Sequence, residues 1–248
     1  MARAAIRGRL TWLLAEVVAV VAETPRVRTL VMLCPGWTGH LPGQHVDVRL
    51  TAEDGYQAQR SYSIANPEDG EHLEITVELV HDGEVSPYLI EELRVGDMLE
   101  LRGPIGGYFV WEPGHGGPLQ LIAGGSGLVP LMAMIRSQDA LEVPTRLLVS
   151  SRTWDDVIYR DELHRVSRRP SIEVAHTLTR SQPADWDGYK RRVDRSMLVE
   201  VTYSPAEKPL CYLCDPTGFV ESIASTLVQL GHDPERVRTE RFGPTGGQ

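Results

Sequence analysis

The sequence predicts an α+β protein in two parts: an N-terminal antiparallel six-stranded β-barrel followed by a C-terminal α/β unit on a parallel sheet. Three observations carry this. Short β-rich runs punctuated by turn residues fill the first 110 or so positions. A Gly/Pro-rich stretch, Glu112-Pro113-Gly114-His115-Gly116-Gly117-Pro118, then breaks the pattern. Beyond it, apolar strands alternate with helical periodicity, the signature of βαβ units.

In the first part, strands are expected at 12–22, 27–34, 45–50, 59–64, 73–80 and 98–102. Turn chemistry separates them: Pro35-Gly36, Pro42-Gly43, Glu53-Asp54-Gly55, Pro67-Glu68-Asp69-Gly70 and Val95-Gly96-Asp97. Six strands at this spacing suit a small barrel. One helix interrupts them, with Ser86 as its N-cap, Pro87 at its first position, and Leu89, Ile90 and Leu93 as its apolar stripe. In the second part, strands are expected at 119–123, 145–150, 172–177, 210–214 and 237–241, and helices at 129–138, 156–166, 195–201 and 218–230. The last helix is marked by Val220, Ile223, Ala224, Leu227 and Val228 and closed by Gly231. Domains are expected over 1–112 and 118–248, with a loose tail over 243–248.

Composition narrows the function classes. At 248 residues, 42% hydrophobic and 24% charged, the chain has the make-up of a soluble globular protein. A net charge of −9 argues against a nucleic-acid partner. The apolar stretch from Leu10 to Ala22, preceded by Arg3, Arg7 and Arg9, loosely imitates a signal peptide. It is interrupted by Glu16, too short to span a bilayer, and better suited to a first strand. Three cysteines, Cys34, Cys211 and Cys214, fit a reducing cytoplasm and are too few for a four-thiolate iron–sulfur cluster. Cys211 and Cys214 lie three apart on a strand, so their side chains point to opposite faces, which disfavours a zinc or dithiol pair. No metal site is expected, since the eight histidines show no ligand spacing.

Two segments carry the chemistry. On a strand, Arg60 and Tyr62 share one face while Ser61 and Ser63 share the other. A flavin needs a cation for its phosphate, a flat surface for its ring and polar partners for the ring edge. Arg60 supplies a planar fork of donors, Tyr62 a cover, and Ser63 a hydroxyl near N5. Farther on, His81-Asp82-Gly83-Glu84-Val85-Ser86-Pro87 is a glycine turn opening a helix, which suits an anion. Two phosphate sites in one barrel fit FAD better than FMN. The second segment is Gly124-Gly125-Ser126-Gly127, behind an apolar strand and ahead of a helix with Pro130 in its first turn. Glycines let the backbone approach a dinucleotide diphosphate closely. At the end of the next strand, Ser151 beside Arg152 suits a ribose 2′-phosphate and inclines the reading to NADPH over NADH; Tyr159 is expected to cover the adenine.

These residues together resemble the ferredoxin–NADP reductase family over nearly the whole chain. The resemblance implies that Arg60, Ser61, Tyr62 and Ser63 hold the flavin, that Gly83, Val85 and Ser86 form its second phosphate segment, and that Gly103-Pro104-Ile105-Gly106 closes the barrel. Gly43-Gln44-His45 also matches, with His45 expected to be structural. Cys214-Asp215-Pro216 matches the family's C-G-P, placing Cys214 and Pro216 at the nicotinamide. Asp215 departs from the usual glycine and puts turnover in doubt. Glu240-Arg241-Phe242 resembles the C-terminal segment near the flavin, where Glu240 relays a proton, orients Ser63, or pairs with an arginine. The catalytic set implied is Ser63, Cys214 and Glu240.

The expected function is hydride transfer from NAD(P)H to bound FAD, then electron delivery to a separate acceptor protein, such as a ferredoxin or an oxygenase component. A stand-alone monomeric reductase without an iron–sulfur domain is expected. Two alternatives stay open: a reductase or oxidase serving small acceptors, and a non-catalytic flavoprotein, which Asp215 raises.

Overall fold

The computed structural model describes residues 10–138 and 141–242. The expected tail over 243–248, the arginines ahead of Leu10 and the side chains of Asp215 and Phe242 lie outside the described residues.

Six antiparallel strands come first: β1 (Trp12–Thr24), β2 (Val27–Leu33), β3 (His45–Thr51), β4 (Gln57–Ser63), β5 (His72–Glu78) and β6 (Met98–Ile105). Their order is β4-β3-β6-β1-β2-β5. The thirteen-residue β1 serves two neighbours, pairing β6 with its first third and β2 with the remainder. Register shifts at 17–19 and 22–24 let it bend between them. An antiparallel bridge between Ile64 and Ile75 joins the outer strands, and Ala65 N–H donates to the Glu74 carbonyl, so the barrel closes. Alternate residues point inward: Leu73, Ile75 and Val77 from β5, Val46 and Val48 from β3, Leu99 and Leu101 from β6, all buried in one core.

The expected helix after Ser86 shrinks to one wide turn, Tyr88–Glu92. Its apolar stripe is as read: Leu89, Ile90 and Leu93 plug the barrel core. Ser86, however, does not cap it. Its Oγ accepts from Val80 N–H at 3.0 Å and closes the 80–86 loop on itself. The N-cap position falls at Pro87, which makes no side-chain cap.

The second sheet is parallel, of strands β7 (Leu119–Gly124), β8 (Thr145–Ser151), β9 (Ile172–Leu178), β10 (Leu210–Pro216) and β11 (Val237–Phe242), in the order β11-β10-β7-β8-β9. Its helices are α1 (Leu128–Arg136), α2 (Arg160–Val166), α3 (Arg195–Val201) and α4 (Thr217–Gln229). Both faces are covered, as a parallel sheet requires. Leu121, Leu147, Val149 and Tyr212 pack beneath α1 and α2; Ile122, Leu148 and Leu213 pack with α3 and α4. Residues 128–135 of α1 are all buried, which explains why this helix is apolar all round. Cys211 and Cys214 fall in the cores on opposite faces, so the pair forms no dithiol. The chain runs from β7 outward to β8 and β9, then returns to β10 on the other side of β7. That reversal opens a crevice at the strand ends between β7 and β10.

The helix expected from 156 starts only at Arg160. Thr153 caps a short turn at Trp154–Asp156, and Tyr159 adopts φ +55°, the left-handed region, which no helix continues through.

A candidate site between the barrel and the parallel sheet

The two sheets meet where β4 ends and the β7–β10 crevice opens. Ser63, the last residue of β4, is 4% exposed, and its Oγ makes no hydrogen bond. Its cross-strand partner on β3 is His45. The His45 Nδ1 lies 4.0 Å from Glu240 Oε1, and the Cys214 Sγ lies 4.0 Å from Glu240 Oε2. Cys214 and Glu240 are register partners on β10 and β11. The sheets thus bring together Glu240, Cys214 and His45, with Ser63 facing His45, although the four are far apart in sequence. His45 was expected to be structural. Its place opposite Ser63 is legible only once β3 and β4 are paired.

Burial penalises charge throughout this cluster. It pushes the Glu240 carboxyl up to about 7 and the His45 imidazole down. Glu240 is therefore poised to hold or release a proton near neutrality. The orphaned, buried Ser63 hydroxyl opposite His45 is costly unless a partner arrives. The Ser63 hydroxyl is thus free to hydrogen-bond a group from outside the protein.

Three residues upstream, Arg60 lies on the opposite strand face. Its Nη2 donates to Glu84 Oε2 at 2.6 Å and its Nη1 to the Gln59 carbonyl at 2.7 Å. An oxyanion therefore already rests on this guanidinium. Ser61 donates its hydroxyl to Asp47 Oδ1 at 2.7 Å, while the other oxygen of that carboxylate, Oδ2, accepts from Arg102 Nη2 at 2.7 Å. It thereby joins a β3–β4–β6 polar network while remaining exposed. Tyr62 is half-buried against the barrel core, and burial holds its hydroxyl well above the usual phenol range. Val85 contributes its side chain to the barrel core, so only its backbone faces the 80–86 loop.

Across the crevice, β7 ends at Gly124 and the chain turns through Gly125–Gly127 into α1. Gly125 has φ +49°. A Cβ added there would meet only Glu78 Oε2, at 4.0 Å, so the turn is open on the side facing the barrel. Ser126 is half-buried and Gly127 buried under the helix start. Pro216 ends β10 on the other wall, exposed. Ser151 ends β8 buried, and its carbonyl accepts from Thr179 N–H. Arg152 is exposed and, among the described residues, its side chain has no partner. Its carbonyl accepts from Arg180 N–H at 2.9 Å, which puts a second exposed arginine on the adjoining strand end. The sequence reading missed Arg180, which only strand order makes a neighbour.

Tyr159 is not where the sequence placed it. It is 4% exposed, its hydroxyl is hydrogen-bonded to Thr76 on the barrel, and Arg136 stacks on its ring at 4.6 Å. Burial and that positive φ make it a contact between the two halves, not a cover for adenine. Arg136 completes the contact. It forks onto Glu162 at 2.8 and 2.6 Å, donates to the Ala65 carbonyl at 2.6 Å, and lies 3.8 Å from Glu74. Among the described residues, no cluster of His, Cys, Asp or Glu could hold a metal, and no helix is long and apolar enough to cross a membrane.

Comparison with known proteins agrees with this geometry. Residues 20–110 match the oxidoreductase FAD-binding domain and residues 121–225 the oxidoreductase NAD-binding domain. The glycine betaine monooxygenase reductase subunit of Chromohalobacter salexigens is 32% identical over 237 residues, covering 92% of this chain and 63% of that protein. The reductase component of the naphthalene 1,2-dioxygenase system of Pseudomonas putida is 26% identical, covering 93% and 69%. Among solved structures, the ferredoxin reductase of carbazole 1,9a-dioxygenase aligns with TM-score 0.83 at 26% identity, over 96% of this chain and 71% of that one. The chain thus spans about two thirds of the length of the curated relatives it matches. With both domain models matched in order and the same two-sheet fold in its relatives, the chain belongs to the ferredoxin–NADP reductase family of FAD- and NAD-binding oxidoreductases.

Proposed function

We propose that this chain takes a hydride from NAD(P)H and passes the electrons, through FAD, to a separate redox protein of the ferredoxin or oxygenase-component type. The observation that carries this reading is the buried, unpartnered Ser63 hydroxyl opposite His45, whose imidazole lies 4.0 Å from the Glu240 carboxyl that Cys214 also reaches. The residues fit the flavin: Arg60 binds an oxyanion, Ser63 lacks a partner, and Tyr62 offers an aromatic surface. Bound FAD would supply the two-electron acceptor, which no side chain of the protein can replace. The protein's own work is positioning and proton control.

In this reading Arg60, Tyr62 and Ser63 hold the flavin, with the backbone of Gly83, Val85 and Ser86 offering a second phosphate contact. Gly124, Gly125, Ser126 and Gly127 receive the dinucleotide diphosphate, and Pro216 and Cys214 line the place of the nicotinamide. Glu240 holds a proton at its carboxyl, and Cys214 and His45 fix that carboxyl from two sides. The exposed Arg152 and its neighbour Arg180 suit a 2′-phosphate, which supports NADPH. Domains over 1–112 and 118–248 match this division of labour, and the relatives' association with separate oxygenase components supports a protein acceptor.

The test is a pair of variants. Arg60→Ala is expected to lower flavin retention while leaving nucleotide affinity intact. Gly125→Val is expected to keep the flavin and lose its anaerobic reduction by NADPH. Unchanged reduction kinetics in Gly125→Val would remove the nucleotide assignment.

A further inference from the structure

We propose that Glu84 is a built-in competitor for the flavin phosphate, an internal anion that sets how tightly this chain holds its cofactor. The proposal rests on the flavin reading of Arg60. The Glu84 carboxylate is gripped from two sides: Oε2 by Arg60 Nη2 at 2.6 Å and Oε1 by the Tyr56 hydroxyl at 2.5 Å. These two bonds, the tyrosine's the larger, hold its carboxyl below the usual range, so it is an anion at neutral pH. Its position is fixed by the 80–86 loop, which Ser86 pins to Val80 N–H at 3.0 Å.

The consequence follows from the donor inventory of Arg60. One terminal nitrogen donates to Gln59 and the other to Glu84. A phosphate seeking the bidentate grip that arginine favours meets a guanidinium edge already occupied by a carboxylate of like charge. Either the carboxylate leaves or two anions share one cation. Both routes weaken binding of any flavin that carries a phosphate, and neither touches a flavin without one. The pair is exposed, at 43% and 45%, so the carboxylate can swing out into water. Glu84 thus makes cofactor retention weaker than Arg60 alone would give.

Glu84→Gln keeps the shape and removes the charge. Flavin fluorescence titration of the wild type, E84Q and D82N gives the test, with FAD and riboflavin as the two probes. D82N makes the same charge change two positions away on the same exposed loop. The expected result is FAD affinity about 1.5- to fivefold tighter in E84Q, unchanged in D82N, and riboflavin affinity unchanged in both. FAD binding by E84Q is also expected to fall more steeply with salt than that of the wild type, because its arginine no longer carries a fixed counter-ion. FAD affinity in E84Q equal to or weaker than that of the wild type would overturn this inference alone, as would equal tightening of riboflavin. Failure of both wild type and E84Q to bind FAD would overturn the flavin reading beneath it.

Discussion

Replacing Arg136 by methionine probes the contact that holds the two halves in register. The side chain keeps an apolar stem and loses its charged head. Glu162, forked at 2.8 and 2.6 Å, and Glu74, at 3.8 Å, then face each other without a counter-charge, and the Ala65 carbonyl loses its donor. Breaking a buried pair by removing one partner costs about 3–5 kcal/mol. The three side chains are 18%, 23% and 32% exposed, so solvent screening pulls the figure to the lower end, about 3 kcal/mol. For a chain of this size that lowers Tm by roughly 6–12 °C. Calorimetry and urea unfolding of Arg136→Met, Glu162→Gln and the double variant measure it. The double variant is expected to lose less than the sum of the singles, since the charge conflict disappears with Glu162. Because the same arginine stacks on Tyr159, whose hydroxyl reaches Thr76, loosening it is also expected to separate unfolding of the barrel from that of the α/β half. A loss below about 1 kcal/mol with a single cooperative transition would refute the reasoning.

Two other perturbations test the local physics. Gly43 has φ +97°, and a Cβ there would fall 1.9 Å from the Phe109 carbonyl oxygen, whereas Gly36, at φ +82°, has nothing within 4 Å. Gly36→Ala is expected to cost only backbone strain, about 1–2 kcal/mol, while Gly43→Ala costs clearly more because the 41–44 loop must shift off the 109–111 segment; equal losses in denaturant melts would contradict the clash. Glu240, with a folded-state value near 7 against an ordinary 4.5, binds its proton more tightly folded than unfolded. Its contribution, about 3 kcal/mol, is therefore complete at pH below 4.5 and is lost as pH rises through 7. His176, which burial pushes down to about 4, works in the opposite direction: its contribution is complete above its unfolded value and is lost as pH falls through 4. The difference between wild type and Glu240→Gln isolates the first from the second. Stability curves of the two proteins that run parallel from pH 4.5 to 8 would sink the raised value.

Much of this architecture is legible in the sequence, for reasons that differ between residues. Barrel strands show through as period-two burial punctuated by glycine turns, and the parallel strands show through as short apolar runs. The Arg60–Ser63 and Gly124–Gly127 segments are local, so their chemistry needs only a strand or a turn to be recognised. Misreadings arise where tertiary partners decide. Tyr159 looks like an exposed aromatic at a helix entry. It is buried because Thr76 and Arg136, each more than twenty positions away, close over it. Ser86 has the right identity and spacing for a cap, yet the loop needs its hydroxyl more than the single helical turn does. His45 and Glu240 become neighbours only when β3 pairs with β4 and the parallel sheet docks on the barrel, a relation no periodicity contains.

The central claim is that one chain joins a flavin surface to a dinucleotide turn so that the nicotinamide can reach the flavin. Purified protein reconstituted with FAD, titrated anaerobically with NADPH and then NADH under a visible spectrometer, tests it directly. The expected result is a yellow protein whose absorbance bleaches stoichiometrically on adding reduced nucleotide, NADPH at the lower concentration. A protein that takes up no flavin, or a yellow one that neither nucleotide bleaches, would contradict it.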